Sequence, residues 1–230
     1  MLGLRYYACD RWERPEIPVL KTQEGNILVY MEDGGISLKK AVAYWQMGGF
    51  VFTAVVGTLL HFLFDWTGGN VVAALFSAVN ESIWEHLKLL FYPMVMVAVV
   101  EYFLWGRKVD SFWCIKGIGI LTGLVLIPVV YYGYTGMLGV NEDWFNIAIF
   151  FLAAGVSFWL ETKLFQSGYS CRRSPKLAVA AICLIAVAFA VITFVPPRLP
   201  FFQDPVTGTY GFQTPPMEGL FYGKRTGRCE

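Results

Sequence analysis

Residues 71–105 read VVAALFSAVNESIWEHLKLLFYPMVMVAVVEYFLW, and the fold turns on how that stretch divides. Its second part, Leu87 to Trp105, is long and apolar enough to cross a bilayer. Val71 to Val79 is apolar except for Ser77 but has only about half the residues a spanning helix needs, so it either dips into the membrane and returns or lies at its interface. Between the two stand Asn80, Glu81, Ser82, Ile83, Trp84, Glu85 and His86. Two carboxylates, an imidazole, an amide and a hydroxyl beside a bilayer are costly, and such a cluster marks a candidate site. Pro93 lacks a backbone donor and leaves the Leu89 carbonyl without its usual partner, which predicts a kink in the span.

The rest of the chain divides in the same way. Apolar segments at Ala41–Phe64, Phe112–Tyr134, Trp144–Leu160 and Leu177–Val195 complete an all-α, polytopic membrane helix bundle of about five transmembrane helices plus the short re-entrant or interfacial segment. Composition agrees: the chain is 56% hydrophobic and only 15% charged, with a mean hydropathy of +0.52, outside the range of ordinary soluble domains. A net charge of +1 gives no basic footprint, which excludes nucleic acid as a partner and leaves the lipid bilayer. Three regions follow: a poorly ordered cytoplasmic leader over 1–38, the transmembrane domain over 39–195, and a Pro/Gly-rich tail over 196–230 that docks on the outer mouth. The leader mixes acids and bases without the apolar core of a signal peptide, and Met31 stands where a start codon would suit the first span.

Orientation comes from the basic residues. Lys39, Lys40, Arg107, Lys108, Lys163, Arg172, Arg173 and Lys176 fall on one side of a five-span topology, whereas the loops 65–85 and 135–143 have none. The positive-inside rule therefore predicts a multi-pass membrane protein with its N-terminus in the cytoplasm and its C-terminus outside. In that topology Cys9, Cys114 and Cys171 face a reducing compartment, Cys183 lies within the last span and Cys229 is alone outside, so no disulfide pair is expected.

The same topology gathers the chemistry. His61, Asp65, Asn80, Glu81, Ser82, Glu85, His86, Asp143 and Asp204 all map to the outer end, and the chain's two histidines share that level. Imidazole with carboxylate suits zinc, manganese or iron. His61, His86 and Asp204 are the candidate metal ligands, Glu81 and Glu85 the candidate catalytic bases, and Asp65, Asn80 and Ser82 the polar surround. A structural alternative accounts for part of this: Ser82 to Glu85 fits a capping box at the start of a helix. Near the inner ends, Glu101, Lys116 and Glu161 either form an acid–base–acid ion group or snorkel separately.

The combination of His61-x-x-Phe-Asp65-Trp, Gly-Gly-Asn70, Asn80-Glu-Ser-x-Trp-Glu-His86-Leu-Lys and Asp204-Pro-Val-Thr-Gly-Thr-Tyr-Gly resembles an uncharacterised family of bacterial multi-spanning membrane proteins over about residues 40 to 212. The resemblance implies a bacterial inner-membrane protein and no activity. Membrane hydrolases typified by alkaline ceramidases offer a more distant comparison. The chain lacks their paired late-helix histidines and has fewer spans, so the comparison shows only that such zinc chemistry is feasible in a membrane. Two functional readings stay open: a metal-dependent membrane hydrolase, and a non-enzymatic transporter, ion-binding or partner subunit whose polar cluster is structural.

Overall fold

The computed structural model describes residues 38–171 and 175–213. The leader, Arg172 and Arg173, Cys9 and Cys229, and the tail beyond residue 213 lie outside the described residues. Among the described residues six α-helices form: α1 (Leu38–Trp66), α2 (Val71–Phe76), α3 (Ile83–Leu104), α4 (Phe112–Leu138), α5 (Asp143–Ser167) and α6 (Pro175–Phe194). All but α2 are long and apolar enough to cross a membrane. Among the described residues there is no strand, only an isolated bridge between Gln203 and Tyr210.

The helices outrun the apolar windows because hydrogen bonding, not hydropathy, ends them. α3 starts at Ile83 because the Ser82 hydroxyl accepts from the Glu85 N–H. α4 and α5 run on until Gly139 and Gly168 adopt the left-handed conformation. α2 is a single capped stub: Asn70 Oδ1 accepts from the Val72 N–H, and Ser77 turns both its N–H and its hydroxyl onto the Ala73 carbonyl. It packs against α1, α3 and α6 with Ala73 and Ala74 buried, a tucked segment that does not span.

α1, α3, α4 and α5 pack in a closed ring, α1 on α3 and α5, α4 on α3 and α5, and α6 lies outside it against α4. Helices in lipid gain no hydrophobic free energy from meeting one another, so close packing and buried polar bonds hold them. Small residues allow the approach. A Cβ on Gly57 of α1 would lie 2.7 Å from the Leu89 carbonyl of α3, the group that Pro93 leaves without a donor. The glycine face of α1 covers that carbonyl.

The bundle has two distinct ends. The histidine end carries the α1–α2 turn, the start of α3, the α4–α5 loop and residues 195–213. At the opposite, cysteine end the Gln166 side chain donates to the Lys39 carbonyl and the Cys171 N–H donates to Ser111 Oγ. Here one expectation is corrected: Cys114 and Cys171 form a disulfide. Assigning both thiols to a reducing compartment ruled out a pair that the folding topology makes, because the start of α4 and the α5–α6 loop meet at this end. The bridge sits at the end that the basic residues assign to the cytoplasm, where disulfides are rare.

Candidate metal centre and the buried ion networks

His61 reaches the histidine end from the last two turns of α1, and His86 from the first turn of α3. Glu81 lies between them on the connector that precedes α3. Its Oε2 is 3.4 Å from His86 Nε2 and its Oε1 is 3.9 Å from His61 Nε2, while the two imidazole rings stand 5.3 Å apart. One ligand atom from each of the three lies within 4.8 Å of the others. The orientation of His86 is fixed from behind: its Nδ1 is 2.9 Å from the Ser82 carbonyl and must donate to it. A neutral His86 therefore presents the Nε2 lone pair to Glu81 and His61, as a carbonyl-anchored metal ligand does.

The connector is pinned from three sides. Asn80 Oδ1 accepts from the Ser82 N–H, and Asn80 Nδ2 donates to the Gly211 carbonyl. The Glu81 N–H donates to Asp204 Oδ2 at 3.4 Å. The tail closes on itself and on α6: Asp204 Oδ1 accepts from the N–H groups of Val206 and Thr207, and the Phe212 N–H donates to the Thr193 carbonyl. Asp204 is thus a strap that holds Glu81 and is not one of the three converging ligands.

Beside the three residues opens a cavity of about 490 Å³, lined by apolar side chains of α1, α4 and α5 and by Tyr131, Asn141, Asp143 and Asn146. Asn146 Oδ1 accepts from the Tyr134 hydroxyl, and Asn146 Nδ2 donates to Asn141 Oδ1. That bonding stiffens the polar wall.

Glu85 is placed elsewhere. It is 1% exposed, pairs with Lys88, and accepts from the Val79 N–H and the Thr193 hydroxyl. Consecutive helix residues point about 100° apart, so His86 faces α1 while Glu85 faces α2 and α6. The reciprocal half of the capping box is absent because Asn80 already takes the Ser82 N–H. Lys88, with no exposed surface, completes this second network by donating to the Ala74 carbonyl and to Thr193 Oγ1. Lys88 and Thr193 escaped the sequence reading; the signal available was a lysine three residues after Glu85 inside an apolar run. Asp65 is exposed and stands outside both groups.

At the cysteine end, Lys116 is ion-paired with both Glu101 and Glu161. Gln46 of α1 joins them, its amide oxygen accepting from Lys116 at 3.1 Å and its NH2 group donating to Glu161 Oε2 at 2.7 Å. All four side chains are buried.

Two carboxylates outside the spans titrate abnormally. When His86 is protonated both of its ring nitrogens donate, and the Nε2–H bond to Glu81 holds that carboxyl below the ordinary glutamate value of 4.5. Burial works against ionisation of Asp204, but the N–H groups of Val206, Thr207 and Glu81 outweigh it and hold the carboxyl below 3.8. A carboxylate with a depressed folded-state pKa stabilises the fold above its unfolded value and loses that contribution as pH falls through the folded one. Tail docking is therefore expected to be intact at neutral pH and lost below 3.8, read as faster proteolysis within residues 203–213. Asp204→Ala should show the fast cleavage at neutral pH as well.

No curated protein and no solved structure matches the chain. The model of one family, described as a family of unknown function, matches residues 36–212.

Proposed function

Since the chain belongs to that family, DUF6512, whose function is unknown, we propose a function from the site itself: a divalent-metal centre held by His61, Glu81 and His86, serving a metal-dependent hydrolase of the membrane. The observation that carries the reading is the convergence of three ligand atoms with His86 Nε2 pre-aimed by the Ser82 carbonyl. Two imidazoles and one carboxylate with a vacant fourth position make up a catalytic zinc set. Ligand atoms around tetrahedral zinc stand about 3.3 Å apart. The separation of 3.4 Å between Glu81 Oε2 and His86 Nε2 already fits, and side-chain rotation would have to draw in the set as a whole, whose ligand atoms now lie within 4.8 Å of one another.

The cavity supplies the substrate side. Its largely apolar wall suits an amphipathic, lipid-like molecule whose polar group reaches His61, Glu81 and His86, where a metal held by them would supply Lewis-acid activation of water and carbonyl. With Glu85 committed to Lys88, Asp143 is the carboxylate left on the cavity wall besides Glu81, and it would be the group to take a proton from water there. The basic residues favour placing the histidine end outside the cell, and the chemistry is the same whichever way the bundle faces. The non-enzymatic reading, a transporter or ion-binding subunit, draws on a different observation, the buried group at the cysteine end.

Elemental analysis of the purified protein is expected to give about one zinc or manganese per chain, and the loaded protein should cleave lipid-like esters or amides. Metal-free protein whose thermal stability is unchanged by added zinc or manganese would overturn the proposal.

A further inference from the structure

The group at the cysteine end does not balance in charge. Four helices meet around Lys116, and they bring Glu101 from α3, Glu161 from α5, the ammonium from α4 and only the neutral Gln46 from α1. The other buried charged side chains among the described residues, Glu85, Lys88 and Asp204, belong to the histidine end. With every group ionised, two carboxylates face one ammonium inside a membrane bundle. An uncompensated buried charge is costly, and one proton on a carboxyl removes it.

The structure also indicates which oxygen takes that proton. Glu161 Oε2 engages Lys116 and Gln46, whereas Glu161 Oε1 is buried without a partner. It lies directly against α4, where a Cβ on Gly119 would overlap it, so only glycine leaves room for it.

A second set of unpartnered atoms leads away from it. Helical hydroxyls in this chain normally bond to the carbonyl four residues back, as those of Thr58, Thr122, Thr135 and Thr162 do. Thr53 and Ser157 are fully buried, and their hydroxyls have no partner at all. Ser157 lies one turn from Glu161 toward the histidine end. Thr53 lies between Gln46 and Gly57, and Gly57 lines the cavity. On the other side the cluster is closed by the packed rings of Trp105, Phe112 and Phe165.

We propose that Glu101, Lys116 and Glu161 form a proton-binding site, loaded from the cavity by way of the hydroxyls of Thr53 and Ser157. A proton taken up from cavity water forms an O–H bond at Glu161 Oε1 and brings the cluster from a net charge of minus one to zero; its release restores the carboxylate. The site shares no residue with the proposed metal centre and stands or falls separately from it.

Infrared difference spectroscopy of the whole protein in lipid nanodiscs tests this. A protonated carboxyl C=O band that shifts in heavy water should titrate away as pH rises and be lost in Glu161→Gln. If that variant does not fold, Lys116→Met serves instead, and its band should about double because both carboxyls then take protons. Thr53→Val combined with Ser157→Ala should keep the band but slow its exchange in heavy water. The absence of a titrating band while the protein is folded overturns the site, as does stabilisation by sodium in place of a proton. A band that survives in Glu161→Gln overturns it too, and unchanged exchange in the double variant overturns the route.

Discussion

Zinc at about 100 times its dissociation constant is expected to stabilise the wild-type protein by about 2.7 kcal/mol and the His86→Ala variant by nearly nothing. The reason lies in how few groups make the centre. Among the described residues only His61, Glu81 and His86 bring ligand atoms together, and of these His86 alone is held from behind, by the Ser82 carbonyl. Loss of an outer-shell partner already weakens a metal site about 10–100-fold, and loss of a ligand should exceed that. His61→Ala should behave alike. Both rings are partly exposed and neither belongs to the buried networks, so the metal-free variants should melt close to metal-free wild type. Asp65→Asn is the matched control, a charge removed from the same end but outside the ligand group, and it should keep its metal. Calorimetry with and without zinc reads all four proteins. A His86→Ala protein that still gains the full stabilisation would place the metal elsewhere.

Lys88→Met should cost about 3–5 kcal/mol, read as a lower unfolding midpoint in mixed micelles. The ammonium has no exposed surface and balances Glu85 while donating to Ala74 and Thr193. Methionine fills nearly the same volume, so the loss measures the stranded Glu85 carboxylate and not a cavity. Adding Glu85→Gln removes that charge, and the double variant should recover most of the loss. Equal instability of the single and double variants would mean that the pair contributes only its packing.

The five spans were legible because an apolar run long enough for a membrane has few other readings in a bundle this size. Their ends were not, since Ser82, Gly139 and Gly168 set them through local hydrogen bonds and backbone conformation that hydropathy does not sense. The meeting of His61, Glu81 and His86 could be foreseen from a helix hairpin whose connector is too short to cross. Glu85 was grouped with them because it maps to the same outer end, and the turn of about 100° between consecutive helix residues takes it toward α6. Asp204 was grouped by level, but its oxygens are spent on Val206, Thr207 and Glu81. The disulfide was missed because compartment was weighed and the meeting of the start of α4 with the α5–α6 loop was not.

The Cys114–Cys171 bridge spans α4 and α5 and leaves α6 outside the loop it closes. In the order of synthesis, the ring of α1, α3, α4 and α5 can assemble while the last helix is still being made. Until α6 arrives, Glu85 and Lys88 face each other without Thr193; until residues 204–212 follow, nothing straps Glu81 or Asn80. The histidine end is therefore finished by the last part of the described chain to leave the ribosome, and a nascent protein acquires the strapped arrangement of His61, Glu81 and His86 only after every span is in place.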